Sequence, residues 1–182
     1  MSATGGSLVA VAGVNGVAVE AAARDLARSN RRRKAAVSSG DASGIFGELM
    51  VAEVEAGLPS ARTLLLLYAA DLAFRLRWEV KPALDEGRLV VVAPYVNTAI
   101  AFGRAAGLDA GSLAQMFAFA PAPDETRIVE VAASRSLSDR TGFVEFGCDQ
   151  LLGASTKAVR RDLLVRAART LKTISVLKTR RK

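Results

Sequence analysis

Along this chain, short unbroken apolar runs alternate with longer stretches in which apolar positions recur every three or four residues. The first pattern belongs to strands covered on both faces, the second to helices covered on one. Val9 to Ala12 predicts a buried parallel strand, because it is short, apolar and followed by glycine. Val17 to Ser29 predicts an alanine-rich helix, and Arg33 to Ser38 (RKAAVS) a second strand. Ser38 to Gly44 reads as a loop, since small polar residues and glycine supply turn geometry. Ile45 to Ala56 predicts a helix ended by Gly57-Leu58-Pro59. Ser60 is placed to cap a helix running to about Asp85, which Pro82 is expected to kink or divide. Leu89 to Ala93 (LVVVA) predicts a third strand, and Asn97 to Ala106 and Ala110 to Phe119 two more helices. Arg127 to Ala132 (RIVEVA) predicts a fourth strand, Ser134 to Gln150 short helical pieces, and Ser155 to Leu171 a basic helix. The β-branched Thr173 to Leu177 (TISVL) predicts a fifth strand. The alternation implies an α/β three-layer sandwich with a mainly parallel five-stranded sheet, in a single domain over residues 1–182.

Composition narrows the chemistry more than the fold. With 51% hydrophobic and 24% charged residues, the chain has the balance of a globular protein with a full core. Its longest apolar stretch, from Leu64 to Ala70, is far short of the roughly 20 residues that cross a bilayer, so no membrane association is expected. The opening MSATGGSLVA lacks the basic segment of a secretory signal, and the single Cys148 reads as a buried thiol in a reducing, cytoplasmic setting. There is no histidine, which removes the commonest general base and the commonest zinc ligand. Ser-His-Asp and Cys-His catalysis are thereby excluded, and no metal site is expected.

The net charge of +7 is unevenly spread. From Ser155 onward there are ten Lys or Arg and one acid, Asp162, which leaves fifteen cations against seventeen acids before that point. A second small cluster is Arg31-Arg32-Arg33-Lys34. Basic segments of this kind suit a solvated face, a nucleic acid or an acidic partner. The scarcity of nearby aromatics argues against a base-stacking platform.

One stretch carries candidate chemistry. AGVNGVAVEAAA, residues 12–23, follows the first strand and leads into the first helix. A strand, a glycine-bearing turn and a helix form the layout of a phosphate-binding loop, whose N–H groups and helix N-terminus hold anions. Further along, Leu65-Leu66-Leu67-Tyr68-Ala69-Ala70-Asp71 is followed by Val80-Lys81-Pro82-Ala83-Leu84 and Gly87. Val90-Val91-Val92-Ala93-Pro94-Tyr95, Ala101-Phe102 and Gly107-Leu108-Asp109 come next. This ordered set resembles bacterial thymidylate kinases, which carry LLLFAADR, then I-x-PAL-x-x-G, V-I-x-DRY and S-x-x-AYQ-x-x-GLD. The spacing matches without gaps from Leu64 to Asp109. More thinly, Gly47-Glu48 is similar to the end of the family's REPGGT-x-LGE segment, and Asp124 to Val131 to its PDLT-x-x-LDV strand. The resemblance implies a P-loop nucleoside monophosphate kinase fold, with the family's last helix missing and its arginine-bearing lid, after Val131, shortened or altered. It also implies a homodimer formed by helix packing, for which Thr63 to Leu76 is suited.

Against that family the functional positions are changed. The loop pattern G-x-x-x-x-G-K-[ST] aligns with Gly13-Val14-Asn15-Gly16-Val17-Ala18-Val19-Glu20, so Val19 stands at the lysine that neutralises the phosphoryl group and Glu20 at the hydroxyl that holds Mg²⁺. Asn15 reads as a turn residue. The family's Asp-Arg before the tyrosine aligns with Ala93-Pro94, its arginine after AAD with Leu72, and its base-reading glutamine with Gly103. Ser39 aligns with the arginine that opens its REPGG segment, and the acid there falls near Gly40. Tyr68 aligns with the phenylalanine that stacks on thymine, and Tyr95, Asn97, Thr98 and Phe102 would line the same groove with Asp71 at its rim. Tyr68 and Phe102 equally suit a helical core. Arg24, Arg28, Arg75, Arg77 and Arg104 would contribute cations only if they pointed inward.

These readings imply a catalytically inactive relative of thymidylate kinase that binds a small ligand or a protein partner through a remnant nucleotide groove, with no cofactor. The alternative is an active dTMP kinase using ATP and Mg²⁺ at a rebuilt phosphate site. Polyanion or nucleic-acid binding through the basic C-terminal segment is a third reading.

Overall fold

A computed structural model describes residues 5–40, 42–44, 60–130 and 157–179 of the chain. The element order begins with strand β1 (Ser7–Ala12), helix α1 (Gly16–Ser29), a 3-10 turn (Arg31–Arg33) and strand β2 (Ala36–Ser39). Helix α2 (Ala61–Arg75) runs through a π turn (Leu76–Val80) into α3 (Lys81–Asp85). Strand β3 (Leu89–Ala93), helices α4 (Val96–Ala105) and α5 (Ala110–Met116), strand β4 (Glu125–Ile128) and helix α6 (Lys157–Thr179) complete it.

The strands form one parallel sheet in the order β2-β3-β1-β4. Ser7 pairs with Leu89, Val9 with Glu125 and Ala36 with Val90. Side chains alternate across a strand, so each central strand feeds two cores. Leu8, Ala10, Ala12, Val90 and Val92 face a large cluster with Leu64, Leu65, Tyr68 and Leu72 of α2, Phe102 of α4 and Leu164, Ala167 and Leu171 of α6. Val9, Val11, Leu89, Val91 and Ala93 face Val19, Ala23 and Leu26 of α1. Helices therefore cover both faces of the sheet, which is why β3 reads as an unbroken apolar run.

The strand count is corrected. The sheet has four strands among the described residues, and the expected fifth strand, Thr173 to Leu177, is the last part of α6. Leu164, Ala167 and Leu171 put an apolar stripe at helical spacing against the core, and that packing overrides the strand preference of the β-branched residues beyond it. The expected division of the helix at Pro82 is seen: the π turn Leu76–Val80 separates α2 from α3 just before the proline. Pro82 lies at the start of α3, where a missing N–H is tolerated, and the Lys81 N–H before it reaches the Leu76 carbonyl to close the π turn. Ser60 caps α2 as expected, its Oγ accepting from the Thr63 N–H at 3.2 Å. The second and fourth strands fall a few residues from their expected bounds. The expected helix at 45–56, the pieces at 134–150, the lid, Gly47-Glu48 and Cys148 lie outside the described residues. Among the described residues no helix is long and apolar enough to cross a membrane.

Candidate functional site

The turn between β1 and α1 is short. Only Gly13, Val14 and Asn15 separate Ala12 from Gly16, where the helix begins. Asn15 is the N-cap: its backbone is extended, its Oδ1 accepts from the Ala18 N–H at 2.8 Å, and its carbonyl accepts from Val19 at 2.9 Å. A side-chain oxygen thus takes one of the amides that a helix start leaves open. Gly13 is tied to α4: its N–H donates to Thr98 Oγ1 at 3.3 Å, and the same hydroxyl lies 3.4 Å from the Gly13 carbonyl.

Val19 is 1% exposed and belongs to the core under α1. A Cβ on Gly13 would fall 2.7 Å from Val19 Cγ2, so the valine lies directly against the glycine. Glu20 lies on the second turn of α1, and its carboxylate pairs with the Arg24 guanidinium one turn on.

The six groove residues from the sequence are all buried in the interior. Tyr68, Asp71, Thr98 and Phe102 are 0% exposed, Tyr95 1% and Asn97 5%. The Tyr68 hydroxyl donates to the Pro94 carbonyl at 3.0 Å, and its ring meets Phe117 edge-on with centroids 6.0 Å apart. The Tyr95 hydroxyl donates to the Pro121 carbonyl at 2.7 Å. Burial pushes the Tyr68 phenol up to about 12, the Arg75 charge only partly opposing it. Burial, helped by Tyr68, also raises Tyr95.

Asp71 is no rim residue. It accepts from Arg75 Nε at 2.8 Å and from the Ser43 N–H and Oγ at 3.0 and 2.9 Å. Arg75 is itself fully buried, with Nη1 3.5 Å from the Pro94 carbonyl and its guanidinium carbon 5.8 Å from the centre of the Tyr68 ring. Of the five arginines that an inward orientation would bring to the groove, Arg75 alone turns inward; Arg24, Arg28, Arg77 and Arg104 are exposed. The Asp71–Arg75 spacing of one helical turn is the sequence signal that singles it out. Ser43 and the Pro94 carbonyl carry no comparable signal. Arg75 Nη2 and Asn97 Nδ2 find no acceptor among the described residues. Among those residues no cluster of His, Cys, Asp and Glu is arranged to hold a metal.

A parallel sheet with helices on both faces, and a glycine-bearing turn between its first strand and first helix, defines a doubly wound α/β fold, the architecture shared by P-loop kinases and dinucleotide-binding proteins. Known proteins give this class a more particular likeness. Seventy-two residues are 38% identical to a probable thymidylate kinase of Pyrococcus horikoshii, covering 40% of this chain and 35% of that protein. A thymidylate kinase of Clavibacter michiganensis subsp. michiganensis is 33% identical over 122 residues, covering 57% of this chain and 58% of that one. The chain thus spans between about a third and three-fifths of the curated relatives it matches. Among solved structures, a thymidylate kinase from Ehrlichia chaffeensis superposes with a TM-score of 0.66 at 15% identity, covering 96% of this chain and 83% of that one, a likeness of fold. No protein-family model matches the chain. The protein is thymidylate kinase-like in sequence over these stretches and in fold throughout the superposed length.

Proposed function

We propose that this thymidylate kinase-like protein does not transfer phosphoryl groups and acts by binding. The observation that carries the reading is the closed turn at Gly13. A phosphate cradle needs a run of free backbone amides, a lysine and a hydroxyl for Mg²⁺. Here α1 begins at Gly16, Asn15 occupies the Ala18 amide, and Val19 is packed into the core. Glu20, at the hydroxyl position, is partnered by Arg24. The described residues do not fit an ATP–Mg²⁺ complex. Phosphoryl transfer rests almost wholly on positioning and electrostatics, so the missing groups weigh against the active-kinase alternative.

The binding face of the proposal starts from two buried donors. Arg75 Nη2 and Asn97 Nδ2 find no acceptors among the described residues, so a ligand admitted there meets N–H groups and presents acceptors, as pyrimidine carbonyls do. A second copy of the chain is the proposed protein partner. Leu66, Ala70, Phe74 and Trp78 recur along one exposed line of α2 and the π turn, with Leu66 52%, Phe74 43% and Trp78 62% exposed. Apolar side chains in such a line suit helix-on-helix packing. Binding of nucleic acid through α6 has less support: Arg166 is paired with Asp162 and Lys172 with Glu130.

Calorimetric titration with ATP–Mg²⁺ and with dTMP, separately, beside a coupled ADP-release assay, tests the proposal. The expected result is no heat with ATP–Mg²⁺ and no turnover. ATP binding with turnover refutes it, and dTMP binding alone identifies the groove as the working site.

A further inference from the structure

The edge of the sheet farthest from β4 carries a second surface. β2 is the outermost strand, and its outer backbone edge pairs with nothing among the described residues. Directly before it, Arg31, Arg32 and Arg33 form the 3-10 turn, in which every residue is exposed, and Lys34 follows, also exposed, in a left-handed conformation with φ 48°. The turn is held from within, by Arg33 N–H on the Asn30 carbonyl at 3.0 Å and Lys34 N–H on the Arg31 carbonyl at 3.0 Å. Arg88 pins it to the sheet through a 2.8 Å bond from Nε to the Lys34 carbonyl. None of the four cations has an acidic partner among the described residues, whereas the neighbouring Arg28 and Arg88 are paired with Asp25 and Glu86. Val37, on β2, is 39% exposed.

We propose that this edge docks an extended, acidic segment of a partner protein, which adds to β2 as a further strand while its acids lie against the arginine turn. An open strand edge offers a ladder of N–H and C=O groups to an extended peptide, and an apolar side chain beside it offers a contact for alternate residues. The arginines supply charge complementarity, stand at one end of the edge and are not consumed by internal ion pairs. Being concentrated in one turn at the end of a four-residue strand, they match a compact acidic cluster better than a long polyanion track. Antiparallel addition is the commoner pairing, and it places the acids after the strand residues of the partner. The surface is separate from the Gly13 turn and does not depend on the proposed function.

The test uses the full chain and a fluorescein-labelled peptide, Val-Thr-Val-Thr-Glu-Glu-Asp-Glu, read by fluorescence anisotropy at low and physiological salt. Binding is expected, weakened about tenfold or more by Arg32→Glu/Arg33→Glu. Both substituted side chains are exposed, and an unchanged circular dichroism spectrum confirms the fold of that variant. N-methylation of alternate strand amides in the peptide leaves its charge intact and is expected to weaken binding as much. A methylated peptide that binds equally well overturns the proposal in favour of a simple anion surface. Tighter binding of a single-stranded oligonucleotide of equal charge, or no binding of the peptide, also overturns it.

Discussion

Removing the Asp71 carboxylate tests whether the interior around Tyr68 and Arg75 is held together by its own charges. Asp71 and Arg75 are both fully buried, and among the described residues the carboxylate takes hydrogen bonds from Arg75 Nε, the Ser43 N–H and Ser43 Oγ. In Asp71→Ala the guanidinium stays inside with a 3.5 Å approach to the Pro94 carbonyl and the face of Tyr68. Breaking one partner out of a buried pair costs about 3–5 kcal/mol, chiefly because the other charge is left uncompensated. For a chain of this length each kcal/mol moves the melting temperature by about 2–4 °C, so Asp71→Ala should melt roughly 6–20 °C lower. The decisive variant is Asp71→Leu/Arg75→Met. Replacing a whole buried pair by apolar residues of similar volume is often neutral, so the double variant should regain most of the loss, apart from about 1 kcal/mol for each Ser43 group left without an acceptor. Urea denaturation followed by circular dichroism, with the four proteins of the cycle compared at one pH, measures this. A single-variant cost under about 1 kcal/mol, or a double variant no better than the worse single one, refutes the reasoning, because the pair would then be hydrated.

The two tyrosines of the chain give a pH test. Tyr68 is pushed up to about 12 and Tyr95 is also raised, so the unfolded chain loses its phenolic protons first, and stability, level below about pH 10, should fall as the pH climbs toward 12. Absorbance at 295 nm should therefore rise only together with unfolding; early ionisation of either tyrosine would falsify their burial. Gly13→Ala should cost about 1–3 kcal/mol by overpacking, and Gly13→Ala/Val19→Ala should cost less than the sum of the two single changes, because the Cβ–Cγ2 overlap is removed; additive thermal shifts would rule out that contact. On the proposed dimer, Phe74→Lys should give a monomer by light scattering. The emission of Trp78, the single tryptophan, should lie further to the red in that variant than in the parent protein, and equal masses and spectra would exclude this face.

The sheet was legible because its strands advertise themselves. LVVVA can only be a strand covered on both faces in a chain of this composition, and the glycine after Ala12 fixes the turn. TISVL was misread because strand preference is a local quantity, while the helical stripe Leu164, Ala167, Leu171 is set by packing on α4, which local sequence does not display. The groove was legible as a set of residues and illegible as a surface. Sequence spacing places Tyr68, Asp71 and Thr98 at one end of the sheet, but whether an aromatic ring lines a cleft or fills it depends on neighbours such as Phe117, which approaches from a separate helical segment. Arg75 is the clearest case: the helical pattern left its direction open, and the Asp71 partner one turn earlier holds it inside.

The way in which the site is altered bears on the proposed loss of catalysis. A site that had merely lost its lysine and arginines would keep open amides, unpartnered carbonyls and room for the absent phosphates, and each buried unpaired group would cost about 1–3 kcal/mol. On the proposed reading, the vacated roles are refilled from within the chain. Asn15 takes the Ala18 amide, Thr98 bridges both polar groups of Gly13, and Tyr68 and Arg75 share the Pro94 carbonyl. Val19 adds its side chain to the core where a lysine would have had to leave it. Working sites tend to retain strain and unsatisfied groups at some expense of stability, whereas a site released from chemistry is free to exchange them for packing and internal hydrogen bonds. Arg75 Nη2 and Asn97 Nδ2, which find no acceptor among the described residues, are then the places to look for the binding proposed above.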